Sequence, residues 1–204
     1  MVAEVEHRLL TRSQPNDWVV LSGSLPPGAD ESWYGKLTAD LKTAGRRVAV
    51  DTSGAALAAT LADTSHLPDL LKPNAEELAS LTGDDGTALE ADPIAAAAAA
   101  ARLVKDGVGA VLLTLGAEGA VLITNEGTWR ATPPPITLRS TVGAGDASLA
   151  GYLLSDLRGL EAPERLREAV AYGAAAASLN GSTMPREVDL NRDDVVVTAL
   201  IEAR

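Results

Sequence analysis

The chain has 204 residues, 46% hydrophobic and 22% charged, which is enough for one domain with a sizeable core and fits a soluble globular protein. It contains no cysteine, so a disulfide framework and a thiolate metal site are both excluded. A formal net charge of −11 argues against a nucleic-acid surface, and any anionic ligand must be neutralised locally by backbone N–H groups, a few cations or Mg²⁺.

The first residues lack the basic and apolar blocks of a signal peptide and lead into a helix. The longest apolar run, residues 94–101, is alanine-rich and too short to span a bilayer. The expectation is therefore a cytoplasmic protein with no membrane partner. His7 and His66, the only histidines, each stand alone in a polar stretch and are expected at the surface. Trp18, Val19, Val20 and Leu21 predict a buried strand, followed by a helix over 31–44. Val48, Ala49 and Val50 predict a second strand, and Leu70 and Leu71 a shorter one. Helices are expected over 75–81 and 93–105, with Pro93 suited to a first helical turn and Gly107 to a helix end. Residues 110–114 give the clearest strand. A strand over 120–123 follows a glycine-bounded turn, and 128–131 completes a hairpin with it. The proline-dense stretch 132–135 reads as an extended connection, and the last helices are expected over 146–158, 163–179 and 192–202. With no Phe, the core must be built from Leu, Val, Ile and Ala. Apolar strands alternating with helices predict an α/β domain over residues 1–204, with a parallel sheet covered on both faces. Ligands of such sheets bind outside the carboxyl ends of the strands.

One loop in that position carries the most chemistry: Thr141, Val142, Gly143, Ala144, Gly145 and Asp146, continued by Leu149, Ala150 and Gly151. Glycines let the backbone approach a ligand, and free N–H groups at a helix start suit an anion. The loop is not a Walker-type phosphate loop, because Asp146 stands where Lys would follow the second glycine. It is not a dinucleotide fingerprint either, because Ser148 stands where a glycine is required. An aspartate beside an anion-binding loop can accept a proton from a hydroxyl that attacks a phosphoryl group, or it can simply favour a helix start. The loop resembles the C-terminal signature of ribokinase-like carbohydrate kinases. That resemblance implies a ribokinase-like three-layer αβα sandwich with a mostly parallel central sheet. It also implies Asp146 as catalytic base, with the amides of Gly143, Ala144, Gly145 and Asp146 as the anion hole. Ala147 stands where relatives often carry Ser.

Other segments fit the same resemblance. Asn74 and Glu77 form a capping-box pattern after Lys72 and Pro73. The resemblance adds a role for Asn74 and Glu77 in organising Mg²⁺, through water, and the ATP phosphates, with Lys72 as a nearby cation. Thr114, Gly116 and Gly119 lie in a turn that in the family borders the ATP site, Gly119 looking the more structural. Ser24 sits in a Gly-Ser-Leu-Pro-Pro-Gly stretch that is similar to the phosphofructokinase and tagatose-phosphate kinase branch, which implies a sugar-phosphate contact there. Asp51, within Asp-Thr-Ser-Gly, resembles the 1-phosphofructokinase branch and is expected at a strand end near the site. Residues 174–181 correspond to the helix and loop that wall the adenine in relatives. Some relatives hold a monovalent cation such as K⁺ through carbonyls, and Ser140 and Val142 are the matching positions.

Relatives of this kind begin with further strands and helices that carry sugar contacts and a small β-sheet lid. The resemblance therefore implies an N-terminally truncated fold lacking that lid, a largely intact nucleotide site and weak or absent turnover by this chain alone. It also implies an open sheet edge prone to self-association, a homodimer for example. The expected reaction is ATP-dependent phosphorylation of fructose 1-phosphate to fructose 1,6-bisphosphate. Tagatose-6-phosphate kinase, 6-phosphofructokinase and a non-catalytic nucleotide-binding remnant are alternatives. A dinucleotide-dependent oxidoreductase lacks its glycine fingerprint here.

Overall fold

The computed structural model describes residues 2–202. Helix α1 (Val2–Arg12) packs Leu9 and Leu10 against the core and is tied to the next helix by Trp33 Nε1 donating to Glu6 Oε1 at 2.7 Å. Then follow β1 (Trp18–Ser22), α2 (Trp33–Thr43), β2 (Arg47–Asp51), α3 (Gly54–Thr60), β3 (Leu70–Leu71), α4 (Ala75–Thr82), α5 (Gly86–Ala91), α6 (Pro93–Lys105), β4 (Ala110–Thr114), β5 (Ala120–Thr124), β6 (Gly127–Thr132), α7 (Ala144–Leu157), α8 (Ala162–Ala177) and β7 (Val196–Glu202).

The seven strands form one sheet in sequence order. β1 to β4 pair in parallel, and β5, β6 and β7 each pair antiparallel to the strand before. Because β6 runs against β5, it points the same way as β4. The carboxyl ends of β1, β2, β3, β4 and β6 therefore open onto one edge of the sheet.

Side-chain alternation divides the core into two layers. Val48, Val50, Val111 and Leu113 face α1 to α6, while Ala49, Ala110 and Leu112 face Leu149, Tyr152, Leu166 and Ala169 of α7 and α8. The result is the three-layer arrangement that the resemblance implied. No helix among the described residues is long and apolar enough to cross a membrane. His7 is exposed and His66 is partly exposed.

Three departures from the sequence reading have physical reasons. The helix expected over 192–202 is instead β7, an antiparallel partner for β6 with a register shift at Thr128 and Trp129. Its run of Val195, Val196, Val197 and Thr198 is β-branched and favours a strand once β6 offers a ladder of free backbone groups. The short helices α3 and α5 were not expected. α5 forms because Asp85 caps it, accepting from the Ala88 amide. Helix α7 begins at Ala144, two residues before the expected start, so Gly143 is its N-cap.

Candidate active site

The site lies at the strand-end edge described above. Parallel pairing sets Ser22 at the end of β1 beside Asp51 at the end of β2, and Lys72 directly follows β3. A parallel bridge joins Asn74 to Thr114 at the end of β4. Above these strand ends stands the first turn of α7, and together they bound a pocket of about 780 Å³, within the usual range for small-molecule sites.

Helix α7 starts in a way that leaves donors free. Gly143 takes φ 80° and ψ −2°, a left-handed conformation that a side chain would oppose, and no side chain caps the helix. The Ala144 amide makes a long bond of 3.3 Å to the Thr141 carbonyl. The amides of Gly143, Gly145 and Asp146 find no acceptor among the described residues. Three of the four amides expected to form an anion hole are thus open, at the positive end of a helix. Gly145 is needed for a different reason from Gly143. Its backbone is ordinary, but an added Cβ would lie 3.2 Å from Lys72 Nζ, so the missing side chain makes room for the ammonium.

Lys72 is 5% exposed and pairs with Asp51, Nζ to Oδ1 at 3.1 Å. Burial raises the Asp51 carboxyl above the usual carboxylate range, the Lys72 ammonium acts in the opposite direction, and the charge on Asp146 adds to the rise. A buried ammonium, open amides and a helix start are groups that can hold an anion, with a compensating carboxylate beside the ammonium. Asp146 itself points away from the hydrophobic interior: it is exposed, and Ser22 Oγ donates to its Oδ1 at 3.5 Å.

Asn74 and Glu77 form a complete capping box at the start of α4. Asn74 Oδ1 accepts from the Glu77 amide and Glu77 Oε2 accepts from the Asn74 amide, each at 2.8 Å. Each side chain keeps polar capacity, since Asn74 Nδ2 and Glu77 Oε1 take no part in the box. Both residues line the pocket with Glu76 and Glu90. No group of three or more His, Cys, Asp or Glu among the described residues could hold a metal by itself. This donor set suits Mg²⁺, which keeps several waters and takes its other ligands from phosphates. Were phosphates to enter the pocket, the carboxylates lining it would also call for such a cation.

The far wall of the pocket is apolar. Pro133, Pro134, Pro135, Ile136 and Leu138 lie opposite α8, which contributes Ala174 and Ala177. Thr114, Gly116 and Gly119 line the pocket. Gly119 also has a structural reason: φ 91° and ψ −127° suit only glycine, and an added Cβ would collide with the Ala131 carbonyl. Gly119→Ala is expected to lower stability by about 1–3 kcal/mol through backbone strain alone, read as a reduced thermal unfolding midpoint.

Lys72, Asn74, Glu77, Thr114, Gly116, Gly119, Ala144 and Gly145 are thus brought together in one pocket. Gly143, Asp51 and Asp146 do not line it, although Gly143 and Asp146 flank Ala144 and Gly145 in the chain and Asp51 pairs with Lys72. Ser24 is exposed and does not line the pocket, and it is Ser22, the residue just before the Gly-Ser-Leu-Pro-Pro-Gly stretch, that reaches Asp146. Sequence reasoning also missed Glu90 and Ser148. The end of a parallel strand was a usable signal for Ser22. The other two arrive through helix packing, which leaves no local mark.

The family model described as pfkB family carbohydrate kinase matches residues 4–187. The 1-phosphofructokinase of Rhodobacter capsulatus is 41% identical over 173 residues, covering 85% of this chain and 52% of that protein. The ATP-dependent 6-phosphofructokinase isozyme 2 of Escherichia coli is 35% identical over 167 residues, covering 81% of this chain and 52% of that protein. The crystal structure of phosphofructokinase-2 from Escherichia coli in complex with potassium superposes with a TM-score of 0.83 at 31% identity, covering 92% of this chain and 59% of that one. The chain spans about half the length of the curated relatives it matches.

Proposed function

The chain belongs to the pfkB family of carbohydrate kinases, and from that premise we propose that it forms the nucleotide-binding domain of an ATP-dependent sugar-phosphate kinase, with fructose 1-phosphate as the acceptor. The observation that carries this reading is the open anion site. The amides of Gly143, Gly145 and Asp146 and the buried Lys72 ammonium converge beside an exposed carboxylate.

In this reading the triphosphate lies along the pocket with its γ-phosphoryl at the head of α7. The base rests between the 133–138 strap and α8. Asp146 accepts the proton of the sugar 6-hydroxyl as that oxygen bonds to the γ-phosphorus, and the bond to the bridging β–γ oxygen breaks, releasing ADP. The free amides and Lys72 stabilise charge on the equatorial phosphoryl oxygens. Ser22 orients the Asp146 carboxylate. Mg²⁺, when bound, offsets the negative charge shared by the phosphates. Asn74 and Glu77 would hold it through water, and Lys72 positions the phosphates. The carbonyls of Ser140 and Val142 are the candidate contacts for K⁺, the ion named for the Escherichia coli structure.

A 6-phosphofructokinase is the second reading, favoured by the 35% identity to the Escherichia coli isozyme. A panel of fructose 1-phosphate, fructose 6-phosphate and tagatose 6-phosphate separates the two. Self-association through the open backbone edge of β1 belongs to the same proposal.

Calorimetric titration with Mg-ATP tests the nucleotide site directly. Lys72→Met, which keeps the stem and removes the charge, is expected to weaken binding about ten- to a hundredfold, the range for a hydrogen bond to a charged group. Equal affinity of the variant and the wild type would remove Lys72 from the site.

A further inference from the structure

We propose that the Ser148 hydroxyl is a nucleotide contact, directed at the ribose of the bound nucleoside triphosphate. The inference rests on the kinase reading and assigns a role to a residue which that reading does not use.

Ser148 lies on the second turn of α7, one turn beyond Ala144, and is 8% exposed. Buried helical hydroxyls in this chain normally satisfy themselves by bonding back to the preceding turn. Thr38 bonds to the Tyr34 carbonyl at 2.8 Å, Thr60 to that of Ala56 at 2.7 Å, and Ser155 to that of Gly151 at 2.9 Å. Ser148 makes no such bond, and its hydroxyl has no partner among the described residues, although it lines the pocket. Its oxygen is not fully enclosed, since the buried unpartnered side-chain atoms among the described residues belong to Arg47, His66, Arg130 and Glu168, so the hydroxyl keeps access to the cavity and can bond a ligand that enters it.

The neighbouring helix keeps that opening clear. Gly173 of α8 faces Ser148, and an added Cβ there would collide with Ser148 Oγ and come within 3.4 Å of the Ala144 carbonyl. A glycine on α8 therefore preserves both the hydroxyl position and its access to the cavity.

Position along the pocket identifies what the hydroxyl meets. On one side are Ala144 and Gly145 at the anion site, and on the other are Val170, Ala174 and Ala177 on the apolar wall. A nucleotide with its phosphates at the first and its base at the second places its sugar between them, beside Ser148.

The test compares Ser148→Ala with the wild type by calorimetry, using Mg-ATP and, separately, Mg-tripolyphosphate. Alanine is the best helix former, so the variant folds, which its thermal midpoint verifies. The expected result is a two- to tenfold weaker affinity for Mg-ATP, about the range for a neutral hydrogen bond, with tripolyphosphate affinity unchanged. Titration with 2′-deoxy-ATP and 3′-deoxy-ATP then locates the atom. If either sugar hydroxyl is the partner, removing it and removing Ser148 Oγ together cost no more than one alone. Full additivity with both analogues overturns the inference, because neither sugar hydroxyl is then the partner. Unchanged Mg-ATP affinity in Ser148→Ala overturns the inference, as does an equal loss for tripolyphosphate. A wild-type chain that binds neither probe overturns the kinase reading itself, and the inference with it.

Discussion

Replacing Asp146 by Asn in a full-length context is expected to lower phosphoryl transfer by at least about 10²–10⁴-fold, the usual value of general-base assistance, while the nucleotide still binds. The amide is nearly the same shape as the carboxylate, so the helix start and its free N–H groups are kept. Only the ability to take the acceptor's proton is lost. Two carboxylates lie at this edge of the sheet, and their surroundings distinguish them. Asp51 is 15% exposed and committed to Lys72 at 3.1 Å, so it serves the anion site from beneath. Asp146 is exposed, faces no cation within ion-pair distance among the described residues, and has only the Ser22 hydroxyl at 3.5 Å. It is therefore the carboxylate free to accept a proton from an incoming alcohol. The measurement is the ratio of initial rates of sugar-phosphate-dependent ADP release, wild type to variant, paired with a Mg-ATP titration of both. A variant that turns over at the wild-type rate excludes Asp146 from the proton transfer. One that loses nucleotide binding in parallel shows that the residue builds the site rather than the chemistry.

Much of this arrangement was legible in the sequence, and the reason is local. Strands such as 110–114 announce themselves by unbroken apolar runs, and α4 by the capping pattern of Asn74 and Glu77. The Gly-Ala-Gly-Asp segment announces a helix start open to anions for the same reason, since its backbone geometry is written in four adjacent residues. What was not legible depends on residues far apart in the chain. β7 was read as a helix because Asp193 and Asp194 precede a stretch ending in Ala199, Leu200 and Glu202, a pattern that also fits a helix beginning with acids. Its strand state follows from pairing with β6, some 70 residues earlier. The approach of Ser22 to Asp146 spans 124 positions, and the clearance between Gly173 and Ser148 exists only once α7 and α8 pack. Gly145 carries a further reason that its own segment does not show, the space it leaves for Lys72.

The far end of α7 is anchored to the sheet and to α8 by Asp156, and Asp156→Ala is expected to cost about 3 kcal/mol of stability. The Asp156 side chain is 6% exposed. It accepts from Trp18 Nε1 at 2.8 Å, pairs with Arg165 Nη1 at 2.8 Å and also pairs with Arg47, whose guanidinium stacks 4.1 Å from the Trp18 ring centre. One carboxylate thus joins β1, β2, α7 and α8. Breaking a buried ion pair from one side typically costs about 3–5 kcal/mol. The lower end applies because the side chains of Arg47 and Arg165 are 35% and 29% exposed and regain water when the carboxylate is gone. For a chain of this length that loss lowers the thermal midpoint by about 6–12 °C. Nucleotide binding acts on the same equilibrium from the other end of the helix. At one hundred times its dissociation constant, a ligand adds about 2.7 kcal/mol, so saturating Mg-ATP is expected to restore most of the midpoint of Asp156→Ala. The same addition should do little for Lys72→Met, whose defect lies in the anion site. Scanning calorimetry of both variants, with and without Mg-ATP, measures this contrast. If Mg-ATP leaves the Asp156→Ala midpoint where it was while still raising that of the wild type, the anion site requires the Asp156 network to form, and α7 does not hold its first turn independently of its last.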